Sequence, residues 1–119
     1  MRELIDVYVA TRDGVAVIAT TGDPVNHHSV DNNVPRVALR VENTDVSNPQ
    51  TITISTPYQR DGLDLEERAI AIPASTVYWI GVFDNATYGG VDNDNALTKN
   101  ALLFSVSDAT LLIEALRTT

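Results

Sequence analysis

The stretch from Thr51 to Phe83, TITISTPYQRDGLDLEERAIAIPASTVYWIGVF, decides the fold. It holds three short alternating strand patterns cut by Pro57, the Asp61-Gly62 pair and Pro73, so the backbone must keep reversing and cannot run on as helix. Ile52 and Ile54 share one face against Thr51, Thr53 and Ser55, the β-branched pattern of a half-exposed antiparallel strand. Ala69 to Ile72 reads as the next strand. After the Pro73-Ala74-Ser75 turn, Thr76 to Ile80 sets Val77 and Trp79 on one face and Tyr78 and Ile80 on the other, so both faces meet something bulky.

Upstream of this stretch, Val37 to Val41 alternates with Val37, Leu39 and Val41 inward, and Asn43 to Pro49 is a polar turn. Downstream, Leu102 to Val106 is a strand followed by a tight Ser107-Asp108 turn. Thr110 to Leu116 is read as a strand, over the alternative of a helix capped by Asp108. At the N-terminal end, Leu4 to Val9 is predicted as one strand and Val15 to Ala19 as a second, joined by an Asp13-Gly14 hairpin turn. Thr20 to Pro35, TTGDPVNHHSVDNNVP, carries only Val25, Val30 and Val34 as isolated apolar residues, and is expected to be a long polar loop acting as a contact arm. These patterns predict a single all-β domain over residues 1–119, a two-sheet antiparallel β-sandwich of Greek-key or jelly-roll type with about eight or nine short strands.

Composition narrows the function classes. Sixteen acidic residues against eight basic ones give a net charge of −8, which works against nucleic acid, because phosphate neutralisation needs clustered Lys and Arg. With no cysteine there is no disulfide, thiolate metal site or thiol nucleophile. No segment approaches the ~20 apolar residues of a membrane-spanning helix and the N-terminus does not read as a secretory leader, so a soluble product made in the cytoplasm is expected.

The residue patterns that carry chemistry are weak. His27 and His28 are the two histidines, and adjacent side chains on an extended segment point to opposite sides, so no shared metal is expected, although a pH-responsive contact fits. Asp92-Asn93-Asp94-Asn95 resembles the start of a calcium loop, but Leu97 stands where the loop needs glycine and no glutamate closes it, so an Asn/Asp turn is the stronger reading. Asp61, Asp64, Glu66 and Glu67 are crowded into one turn with nothing to desolvate any of them, which favours a solvated loop over paired catalytic carboxylates. No catalytic residue, cofactor or metal is therefore assigned.

From Val37 to Thr118 the order of motifs resembles a family of small capsid decoration or minor capsid proteins of tailed phages and related tailed prokaryotic viruses. The motifs are Glu42-Asn43 at a strand end, TITISTP (51–57), Asp61-Gly62-Leu63, AIAIPAST (69–76), Ile80-Gly81-Val82-Phe83 with Tyr88 close behind, and LLFSV (102–106). The resemblance departs from the family pattern at Val82, where family members carry proline, and in a longer 20–35 loop. It implies a β-sandwich that docks on the outside of a capsid, with the major capsid protein as partner, a virion location, and a homo-oligomer, most simply a trimer at capsomer junctions. Contacts are expected from Met1, Arg2, Glu3 and Leu4 and from Val25, Asn26, His27, His28 and Val30 in the loop, by addition of a strand to a neighbour's edge. The rival expectations are a carbohydrate- or receptor-binding module using Tyr58, Tyr88 and the 92–95 turn, and a tail or neck component of the same virion.

Overall fold

Alternating apolar and polar residues set most of the strands. In the computed structural model, residues 2–32, 37–56, 59–60, 63–64, 67–81, 83, 88–92, 95 and 97–117 are described. In chain order the strands are β1 (Glu3–Ile5), β2 (Val7–Val9), β3 (Thr20–Thr21), β4 (His28–Asp31), β5 (Val37–Asn43), β6 (Gln50–Ile54) and β7 (Gln59–Arg60). They continue as β8 (Leu63–Asp64), β9 (Arg68–Ile72), β10 (Val77–Ile80), β11 (Gly89–Asp92), β12 (Leu97–Val106) and β13 (Leu111–Arg117). Every element in this order is a strand.

Eleven of these strands form two packed sheets. Sheet A runs β1-β4-β12-β6-β9, with β11 also on β12; sheet B runs β10-β5-β13-β2, with β3 also on β13; β7 and β8 make a separate two-residue hairpin. The architecture is the predicted all-β arrangement and is compatible with a β-sandwich, but the sheets are mixed. Two pairs are parallel, β1 with β4 and β2 with β13. Both arise from the N-terminal segment, which was predicted as a single strand and instead divides at Asp6. Its first half pairs in sheet A and its second half in sheet B, so this one short segment ties the layers together.

Two further expectations are corrected. Val15 to Ala19 forms no strand; Val15 is 42% and Ile18 78% exposed, and only Thr20–Thr21 joins a ladder. β2 takes its place beside β13 in parallel rather than as the first arm of a hairpin, and the chain after the Asp13-Gly14 turn joins the sheet only at Thr20–Thr21, antiparallel to β13. The 20–35 segment is not a continuous loop either, because β4 lies inside sheet A between β1 and β12. Its pattern, His-Ser-Val-Asp, hides the strand because two polar residues are buried by partners remote in sequence.

The core is built from the inward faces. Val37, Leu39 and Val41 of β5 and Leu111, Ile113 and Ala115 of β13 meet Ile52 and Ile54 of β6 and Leu102, Phe104 and Val106 of β12. The predicted inward positions of β5 and β6 are all fully buried. Burying a side chain of this size is worth about 1.5–3 kcal/mol. Asn43, also buried, ends β5 with its amide shared between the layers. Its Nδ2 donates to the carbonyls of Asn48 and Ile72, both at 3.0 Å, while its Oδ1 accepts the Asp45 N–H at 2.9 Å. The polar turn predicted over 43–49 is thus anchored to the end of β9.

Candidate functional site

The predicted contact residues divide into exposed and buried sets. Glu3 and Leu4 are exposed on the edge strand β1, and Val25 (80% exposed) and Asn26 sit in the turn before β4. Met1 lies outside the described residues. The Asp23 carboxylate holds that turn, accepting the backbone N–H groups of Val25 (2.9 Å) and Asn26 (3.0 Å) and the Asn26 amide (3.1 Å). Those hydrogen bonds, from the Asn26 backbone first and then Val25, hold the Asp23 carboxyl below its ordinary 3.8. Because the Glu3 N–H donates to the His27 carbonyl at 3.0 Å, the N-terminal segment and the turn come together at one edge.

His28 and Val30, by contrast, are fully buried, so neither can touch a partner in the folded chain. The His28 ring stacks on Phe104 with centroids 5.5 Å apart, and its Nε2 accepts the Asp23 N–H at 2.8 Å. Burial, ahead of the opposing pull of Glu3, pushes the His28 imidazole below its ordinary 6.5 and keeps it neutral. His27 adopts φ 63° to turn the chain into β4. Arg2 also looks inward, donating from Nη1 to the carbonyls of His28 (2.8 Å) and Phe104 (3.2 Å). It pins β1 to the sheet.

Asp92, at the head of the calcium-like turn, is likewise internal. Asp92 is 4% exposed, and its Oδ2 accepts the Ser29 hydroxyl and, at 2.8 Å, the Asn95 amide, which also reaches the Arg2 carbonyl at 2.8 Å. This carboxylate is committed to closing the outer side of β4. Asn93 and Asp94 lie outside the described residues, and among the described residues no group of three or more His, Asp or Glu comes together. Tyr88, a candidate sugar platform, instead packs edge-on against Phe83 with centroids 5.2 Å apart, and its hydroxyl accepts Arg68 Nε at 3.2 Å. Tyr58, Asp61 and Glu66 lie outside the described residues.

Strand β10 corrects the expectation that both of its faces meet something bulky. Tyr78 and Ile80 of β10 pack on the core, so Val77 (39% exposed) and Trp79 (62%) stand on the outer face of sheet B. The register places Trp79 opposite Arg40, and Arg40 opposite Glu114, in one row across three strands. In the next row Val77 faces Glu42, and Glu42 faces Leu112. Arg40 bridges the two acids, 3.4 Å from Glu42 and 3.5 Å from Glu114. At the end of the second row a shallow cleft of about 420 Å³ opens between Glu42, Asn43, Thr44, Ser75 and Val77.

Glycine at position 81 makes this face possible. At φ +148° it lies over β5, where an added Cβ would come within 2.8 Å of the Ala38 Cα. The Ile80-Gly81 motif therefore lets the end of β10 lie flush on its neighbour, which holds Trp79 at a fixed height above the sheet. An exposed indole ringed by half-buried aliphatic and charged side chains is a binding surface in composition, since aromatic residues and arginine dominate the centres of protein interfaces. Comparison with protein-family models, curated proteins and solved structures finds no match to this chain.

Proposed function

We propose that this chain is a structural virion protein that docks on the outside of a viral capsid shell through the outer face of sheet B, with the major capsid protein as its partner. The observation that carries the docking is Trp79, a large aromatic residue 62% exposed on a rigid sheet face. The capsid as partner comes from the resemblance over residues 37–118, whose Ile80-Gly81 motif is the feature that positions this indole.

Energetics fit a protein used in many copies. Four strands of three to seven residues span an outer face of roughly 400–500 Å² at ordinary strand spacing, below the ~800 Å² per partner of a standard stable complex. A single contact of this size is weak. On a shell that presents the same site repeatedly, an oligomer of the protein, such as the expected trimer, gains avidity without any new contact. The exposed edge of β1 and the Val25 turn are the second contact region, on the opposite margin of the sandwich from β9 and β10.

The test is reconstitution on particles purified without this protein. The unaltered chain is expected to bind at a fixed ratio to the major capsid protein, and Trp79→Ala to lose most of that occupancy while keeping its fold. Failure of the unaltered chain to bind, or full occupancy by Trp79→Ala, overturns the proposal.

A further inference from the structure

We propose that Trp79 and Glu42 together form an anchor for an arginine side chain presented by the docked protein partner. The inference rests on the docking reading above and names the chemistry of the partner at that face. Trp79 stands opposite Arg40 and Glu42 stands opposite Val77, so Trp79 and Glu42 are diagonal neighbours on adjacent strands. Diagonal neighbours on one sheet face lie about 7–8 Å apart at the backbone. A guanidinium lying over the indole, within about 6 Å of its centroid, reaches the Glu42 carboxylate from there.

Charge on the face selects a cation. Arg40 is one positive charge shared between two carboxylates, at 3.4 and 3.5 Å, so the trio carries a net negative charge and both acids retain acceptor capacity. Among the described residues no cation rests on the Trp79 ring. The chain as a whole carries −8, which draws a basic partner surface toward it before contact. Arginine suits the site better than lysine, because its planar guanidinium stacks on an aromatic face while its edge pairs with a carboxylate. Val77 and Leu112 beside the anchor call for apolar contact around that arginine, which a protein surface supplies.

Trp79 is the chain's single tryptophan, so its emission reports directly on occupancy of this face. Blocked triarginine, trilysine and triglutamate peptides are titrated into the intact protein at low salt. Triarginine is expected to give a saturable change in Trp79 emission, trilysine a weaker one and triglutamate none. Glu42→Gln is expected to weaken triarginine binding by about threefold, in keeping with an exposed charge or cation–π contact. Glu67→Gln, which removes the same charge from an exposed residue outside both sheets, leaves it unchanged. Equal effects of the two substitutions, or no preference for arginine, reduce the response to overall charge and overturn the anchor.

On stripped particles, Glu42→Gln is expected to lower occupancy and flatten its dependence on salt. If Trp79→Ala loses occupancy and Glu42→Gln does not, the docking face stands and the anchor falls. If triarginine binds as expected but the unaltered chain ignores particles, the anchor stands and the capsid assignment falls. Trp79-dependent binding on a glycan array, or emission that shifts with protein concentration alone, assigns the face to a sugar or to a second copy and overturns the proposal.

Discussion

Gly81 and His28 show how single residues carry more than their local conformation. Gly81→Ala adds a methyl group against the Ala38 backbone in a region of φ that side chains rarely adopt. We expect it to cost about 1–3 kcal/mol, read as a lowered urea midpoint, with β10 displaced and Trp79 emission altered. His28 gives the fold a pH dependence whose sign is fixed by its burial. The unfolded chain takes up a proton at the ordinary histidine value of 6.5, whereas the folded imidazole resists it because desolvation disfavours the charge, and its Nε2 is already engaged as acceptor of the Asp23 N–H. Stability is therefore full above pH 6.5 and falls as pH drops through 6.5 toward the depressed folded value. Unfolding free energies measured from pH 7.5 to 5 should show this slope, and His28→Gln should remove it. A second loss belongs to Asp23 and Asp45, whose carboxyls are held below 3.8 by turn N–H groups, and it begins only as pH falls below that value.

At the scale of elements, β4 and β10 separate what is legible in sequence from what is not. Alternation reveals β5 and β6, because one face of each is buried and a strand with period two has no other way to hide its apolar side, whereas β10 and β13 carry apolar residues on both faces and are read from the turns that bound them. β4 escapes this logic. His28 and Ser29 are buried by a ring stack with Phe104 and a hydrogen bond to Asp92, partners more than 60 residues away that no local pattern announces. The N-terminal division at Asp6 is equally non-local, since the residue pattern suits either sheet. For Trp79, the sequence gives the pairing with Val77 but not which face of β10 is turned to solvent. That choice depends on Tyr78 and Ile80 meeting the core. Deleting residues 26–32 therefore removes β4 and is expected to unfold the protein, whereas Val25→Asp, at the tip of the turn, should leave its melting temperature nearly unchanged. Ile52→Ala, at a fully buried position of β6, should cost about 2–5 kcal/mol by the usual core-truncation range.

Across the whole molecule, two mixed sheets are tied by an N-terminal segment that crosses between them and by the Asn43 amide that spans them. The polar residues that looked most like chemistry in the sequence, His28 and Asp92, are fastened inside this frame. Among the described residues, exposed apolar side chains stand on the outer face of sheet B and at the Leu4 and Val25 margin, the surfaces that the proposed docking uses. The most direct test is acrylamide quenching of Trp79 emission, measured on the isolated chain and on the chain bound to particles. The account predicts strong quenching in solution and severalfold protection on the particle; equal quenching in both states would contradict it.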